Sequence, residues 1–104
     1  MAASDAIVEG MAGRYAAALF DLAKDAKQVP EVEAGLTKFQ SLLNESEDLR
    51  RMVRSPVISA EDQSKALSVI MDKAGVSGLA ANFVKLIASN RRLFAASDMI
   101  KGFK

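Results

Sequence analysis

Apolar residues return every three or four positions along most of this chain, a period that predicts helices rather than strands. The first predicted helix runs from about Ser4 to Ala26, with Ser4 and Asp5 as candidate caps and Asp5 and Glu9 near the positive end of the dipole. On a wheel turned by about 100° per residue, Met11, Tyr15 and Leu22 cluster, with Val8 and Leu19 beside them. Ala16, Phe20 and Ala23 lie about 100° further round. The apolar arc covers about half the circumference, wider than the ~100° stripe that a surface helix needs. Two readings fit that width. The helix has core neighbours on two sides, or one side packs the core and the other receives a foreign helix.

A second helix is expected to start at Pro30, which suits a first helical position, and Val32, Leu36, Phe39, Leu42 and Leu43 form its apolar face. A short third helix spans about Ser46 to Arg54, with Glu47 and Asp48 at its start and Arg50, Arg51 and Arg54 near its end. The three arginines allow a phosphate site, but a solvated face matched to the helix dipole is the simpler reading. Ser55-Pro56 breaks this helix, because the residue before proline avoids the α region.

Ser59 is expected to cap a fourth helix, with Asp62 three residues on; Leu67, Ile70 and Met71 (with Ala66 and Ala74) form the buried face, and Gly75 ends it. Ser77 is expected to cap a fifth, about Gly78 to Ser89, where only Asn82, Lys85 and Ser89 stay polar. Its apolar arc is again wide. Asn90-Arg91-Arg92 reads as a turn, and a sixth helix begins near Leu93, carrying Phe94, Met99, Ile100 and Phe103. The expected fold is all-α: one bundle of five or six helices with short connections. An exposed apolar groove between two helices is a standard receiver for an amphipathic partner helix, and helices one and five are the candidates.

Composition supports the class. Ala supplies 18 residues and Leu 10, against 8 Val and 5 Ile. At 104 residues the chain suits one domain and can bury a core without staples. The absence of Cys and His removes disulfides, thiol nucleophiles, imidazole bases and the commonest zinc ligands. A net charge of +1 does not favour nucleic acid. The longest unbroken apolar run, Tyr15 to Phe20, falls far short of the roughly 20 residues of a membrane span. The first residues do not read as a signal peptide, since Asp5 and Glu9 precede Arg14 and no long apolar stretch follows; nor is there an early Arg-rich transit-type segment. The carboxylate pairs Glu31/Glu33 and Glu47/Asp48 sit at helix starts, where dipole effects explain them. Gly75-Val76-Ser77-Gly78 is a turn rather than a phosphate cradle, and Tyr15 has no catalytic companion. Catalysis, metals and cofactors are not expected.

Two segments carry a family resemblance. Arg14-Tyr15-Ala16-Ala17-Ala18-Leu19-Phe20-Asp21-Leu22-Ala23 resembles the opening signature of the delta subunits of F-type ATP synthases, whose mitochondrial counterpart is the oligomycin-sensitivity-conferring protein. Asn82-Phe83-Val84-Lys85-Leu86-Ile87-Ala88-Ser89-Asn90-Arg91-Arg92-Leu93 resembles the second signature, an apolar helix ending in an Asn-x-Arg-Leu turn. Between them, Ser55-Pro56-Val57-Ile58 and Lys65 resemble the family's Ser/Asn-Pro segment and following basic position. The motifs are weak singly and fairly specific in this order and spacing.

The resemblance implies a single six-helix bundle over residues 1–104, the N-terminal domain of a non-catalytic stator subunit. In the family this domain caps the catalytic hexamer and binds the amphipathic N-terminal helices of the alpha subunits, mainly through its first and fifth helices. Carried over by motif, the expected partner-binding residues are Tyr15, Leu19 and Leu22, then Asn82, Leu86 and Ser89, with Tyr15 and Leu86 foremost. For each apolar one the alternative is a place in the core. Phe20, Phe83 and Ile87 are assigned to the core itself. Family members are longer, with a C-terminal domain that engages the peripheral-stalk b subunits. Since this chain stops at Lys104, that domain and its partner are expected to be absent. The implied setting is peripheral, at the cytoplasmic face of a bacterial inner membrane, in proton-driven ATP synthesis, with neither nucleic acid nor membrane insertion. The rival readings are a helical nucleic-acid module contacting phosphate through Arg50, Arg51 and Arg54, and a generic adaptor for some other amphipathic helix.

Overall fold

A computed structural model describes the backbone of residues 2–104 and the side chains of residues 9–104. It contains α1 (Ala2–Asp25), α2 (Val29–Glu45), α3 (Glu47–Arg54), α4 (Ala60–Ala74), α5 (Gly78–Ser89), a 3-10 turn (Leu93–Ala95) and α6 (Ala96–Phe103), with no strand among the described residues. The expected cap side chains Ser4 and Asp5, and Val8 on the wheel, lie outside the described side chains. With 24 residues at ~1.5 Å each, α1 is nearly as long as the molecule's longest dimension of 37 Å.

Local chemistry sets most helix ends. Ser59 Oγ accepts from the Asp62 N–H at 3.1 Å, so the expected cap of α4 forms, and Ser46 Oγ caps α3 in the same way, accepting from the Leu49 N–H at 3.1 Å. Pro30 stands in the first turn of α2, one residue inside its start. Ser77 is a correction. It holds the position before α5 in an extended conformation, but its side chain makes no bond to the helix, and Gly78 follows at φ +64°.

Three helices end in the same double hydrogen bond. The Gln28 N–H reaches Ala23 O while Lys27 reaches Lys24 O; Val76 reaches Met71 O while Gly75 reaches Asp72 O; Arg92 reaches Ile87 O while Arg91 reaches Ala88 O. This closure needs a left-handed residue at its second-last position. Gly75 adopts it freely at φ +78°, but Lys27 and Arg91 are held there at φ +58° and +59°, a region that costs residues with a Cβ roughly 1–2 kcal/mol.

The central helix is α2, which packs against every other α-helix. Its Val32, Leu36, Phe39 and Leu43 are buried, Leu42 is half-buried, and Gly35 is buried too. A Cβ on Gly35 would stand 2.7 Å from the Ala80 Cβ, so glycine is what lets α5 approach. On α4, Leu67 and Met71 are buried as expected, together with Gln63, whose Nε2 donates to Met52 O at 3.0 Å. The bond satisfies a polar group that burial would otherwise penalise.

α1 packs most extensively along α6, through a seam of small residues. Ala12, Ala16, Leu19 and Ala23 are its buried stripe. Gly102 brings α6 close enough that a Cβ there would stand 3.2 Å from the Ala16 Cβ. That close approach leaves no central place for a large ring. Phe20, expected in the core, is therefore displaced to its margin, 39% exposed and edge-on to Phe103 with ring centroids 5.6 Å apart. Phe94, read as part of the sixth helix, lies on the 3-10 turn with its ring outside the core, whereas Met99, Ile100 and Phe103 are buried.

Candidate partner-binding groove

The wide apolar arcs of α1 and α5 resolve into a buried stripe and an outer shoulder on each helix. On α1 the shoulder is Met11, Tyr15, Ala18 and Leu22, of which Met11 and Tyr15 are half-buried and Ala18 and Leu22 exposed. On α5 the buried stripe is Ala80, Ala81, Phe83, Val84, Ile87 and Ala88, and the shoulder is Leu79 and Leu86. Phe83 and Ile87 hold the core places expected of them.

The two helices meet at one end through side chains rather than close backbone packing. The Tyr15 ring stands edge-on to Phe83, centroids 6.4 Å apart at 68°, and Asn90 Nδ2 donates to Tyr15 Oη at 3.2 Å. At the other end, the turn after α1 (Ala26, Lys27) borders the start of α5 (Gly78, Leu79) across a shared cleft. The helices therefore run antiparallel, with Leu22 two turns along α1 from Tyr15 and Leu86 one turn along α5 from Phe83. Leu22 is 58% exposed and Leu86 50%. These exposed leucines, on the shoulders of two helices beside an aromatic contact, are the candidate walls of an apolar groove.

The six expected residues divide. Tyr15 and Leu22 lie on the outer shoulder of α1 and Leu86 on that of α5, the candidate walls. Asn82 and Ser89 are exposed on the outer rim of α5, further round from Phe83, and the Ser89 hydroxyl donates to Leu86 O at 2.8 Å within its own helix. Leu19 is a correction. It is only 3% exposed, held in the core between the Tyr15 shoulder and the alanine seam, and presents nothing to a partner. Sequence reasoning also passed over Asn90 as a wall residue. It stood in the quoted Asn-x-Arg-Leu turn, but its pairing with Tyr15 spans 75 positions and leaves no local signal.

The arginines of α3 have separate tasks. Arg50 Nη1 donates to Leu43 O and Asn44 O, closing the end of α2. Arg51 pairs with Glu47 at 3.2 Å and more distantly with Asp48, both exposed. Arg50 and Arg54 border one cleft, whereas Arg51 is engaged by Glu47 and Asp48 on its own helix. Among the described residues no cluster of three acidic or other metal-ligating groups occurs, and no helix is long and apolar enough to cross a membrane.

Residues 11–104 match the family model of the ATP synthase delta (OSCP) subunit. The chain is 53% identical over 104 residues to the ATP synthase subunit delta of Bradyrhizobium diazoefficiens, covering 100% of this chain and 56% of that protein. It is 59% identical over 98 residues to that of Methylobacterium radiotolerans, covering 94% and 52%. With that of Rhodopseudomonas palustris strain HaA2 the identity is 54% over 104 residues, covering 100% and 56%. The chain thus spans about half the length of these relatives. Matched along nearly all its length by the family model and more than half identical to these relatives, the chain belongs to the ATP synthase delta (OSCP) subunit family.

Proposed function

We propose that this chain is a non-catalytic connector domain of an ATP synthase. It takes the amphipathic N-terminal helix of an alpha subunit into the α1/α5 groove and so links the catalytic head to the peripheral stalk. The observation that carries this reading is the pair of exposed leucines, Leu22 and Leu86, flanking the Tyr15–Phe83 contact. A helix laid between these shoulders buries apolar surface at about 25 cal/mol per Å² gross, offset by the cost of ordering the tail. The domain acts as a clamp, resisting torque by contact. Contact with the b subunits is assigned to the part of the family chain beyond this domain, and its place is peripheral, at the cytoplasmic face of a bacterial inner membrane.

The nucleic-acid reading is less well supported, because Arg50 and Arg51 are engaged within the protein. Calorimetric titration with a peptide from the N-terminus of the cognate alpha subunit separates the two. Saturable binding that changes little with salt supports the groove. No peptide binding, with steeply salt-dependent binding to RNA or DNA, supports the rival.

A further inference from the structure

A second apolar surface lies outside the groove, where the α3–α4 loop meets the 3-10 turn. Leu93 and Ala95 of that turn are buried, but Phe94 between them is 51% exposed. Its ring divides two clefts that share Val53 and Leu93 as lining. One, about 260 Å³, opens between Phe94 and Pro56; the other, about 340 Å³, runs from Phe94 toward Leu43. Both sit at or below the lower end of the ~300–1,000 Å³ usual for small-molecule sites, a size suited to single side chains. Val57 extends the apolar surface beyond Pro56 and is almost wholly exposed.

The rim is basic. Arg50, Arg54 and Arg91 border the two clefts against a single carboxylate, Asp98. Two of the guanidiniums are already fixed: Arg50 by the Leu43 and Asn44 carbonyls, Arg91 by Ile58 O at 2.8 Å and Pro56 O at 3.3 Å. A guanidinium has five donors, so each keeps some in reserve, already oriented. Arg54 is exposed and makes no ion pair among the described residues. A half-exposed ring between clefts, beneath cations held in place, is complementary to an apolar side chain flanked by carboxylates. The chain's net charge of +1 and the apolar character of the surface favour a peptide over a nucleic-acid backbone, which needs a longer basic stripe.

We propose that the Phe94 surface docks a short acidic segment of a partner protein, its apolar side chain against Phe94 and Pro56 and its carboxylates on Arg54 and Arg91. The test places photoreactive benzoylphenylalanine at position 94 of the full-length protein in its native cells and maps the attachment site by mass spectrometry. The expected product is a protein segment with two or more Asp or Glu within about one helical turn of the attachment. Arg54→Glu should cut the yield at least about fivefold with helicity unchanged by circular dichroism. Arg54→Ala serves the same comparison without a new charge. Attachment to nucleic acid or to a segment lacking carboxylates, no attachment, or a yield indifferent to Arg54 would overturn the proposal.

Discussion

Asn90, the residue after α5, donates from Nδ2 to the hydroxyl of Tyr15 on α1 at 3.2 Å, joining positions 75 apart in the chain. The bond fixes the only tyrosine, whose ring then rests edge-on against Phe83. Because one bond links the two residues, their deletions should not add. Tyr15→Phe and Asn90→Ala are each expected to cost under about 1 kcal/mol, and the double variant little more than the larger single. Denaturant unfolding of the four chains checks this.

The buried and exposed leucines of the two signatures should separate cleanly. Leu22→Asp and Leu86→Asp place a charge on a shoulder already in contact with water, so helicity should survive while affinity for the alpha peptide falls at least about tenfold, or ~1.4 kcal/mol. Leu19→Asp buries a charge without a partner and should unfold the domain. Circular dichroism beside calorimetry distinguishes loss of fold from loss of groove. An unfolded Leu86→Asp chain would show that Leu86 is a core residue.

Capping chemistry predicts an asymmetry among three serines that look alike in sequence. Ser46→Ala and Ser59→Ala each remove a bond to a helix N–H and should cost about 0.5–2 kcal/mol. Ser77→Ala removes none and should stay within about 0.5 kcal/mol of the parent in chemical denaturation.

The two left-handed residues with side chains make a similar contrast. Lys27→Gly should stabilise the domain by up to about 1 kcal/mol, because glycine adopts the turn without strain. Arg91→Gly gains the same relief but loses the bonds to Pro56 and Ile58, and should be neutral or destabilising. Thermal melts of both variants give the comparison.

What could be read from the sequence was what local chemistry decides. The serine cap of α4, the proline start of α2, the break at Ser55-Pro56 and the glycine end of α4 are short-range effects and lie within a residue of expectation. The rotational phase of α1 was not legible in the same way. Its arc was wide enough for several faces, and the seam was chosen by Gly102 of α6, which meets Ala16 from the far end of the chain. That choice placed Leu19 inside and Phe20 at the margin. Phe94 faces outward for a related reason. A 3-10 turn precedes α6, so the helical period does not extend back through it. Lys27 and Arg91 left no signal, because their side chains do not mark a left-handed backbone as glycine does. The excess apolar surface of α1 and α5 was visible in the sequence, whereas the Asn90–Tyr15 pairing needed the tertiary contact.

The central claim is that the α1/α5 groove receives an alpha-subunit helix, and amide chemical-shift mapping during titration with the alpha N-terminal peptide tests it most directly. Saturable shifts centred on Tyr15, Leu22, Leu79, Leu86 and Asn90 are expected, while Val69, exposed on α4, stays silent. Shifts centred elsewhere, or none at saturating peptide, would contradict the claim.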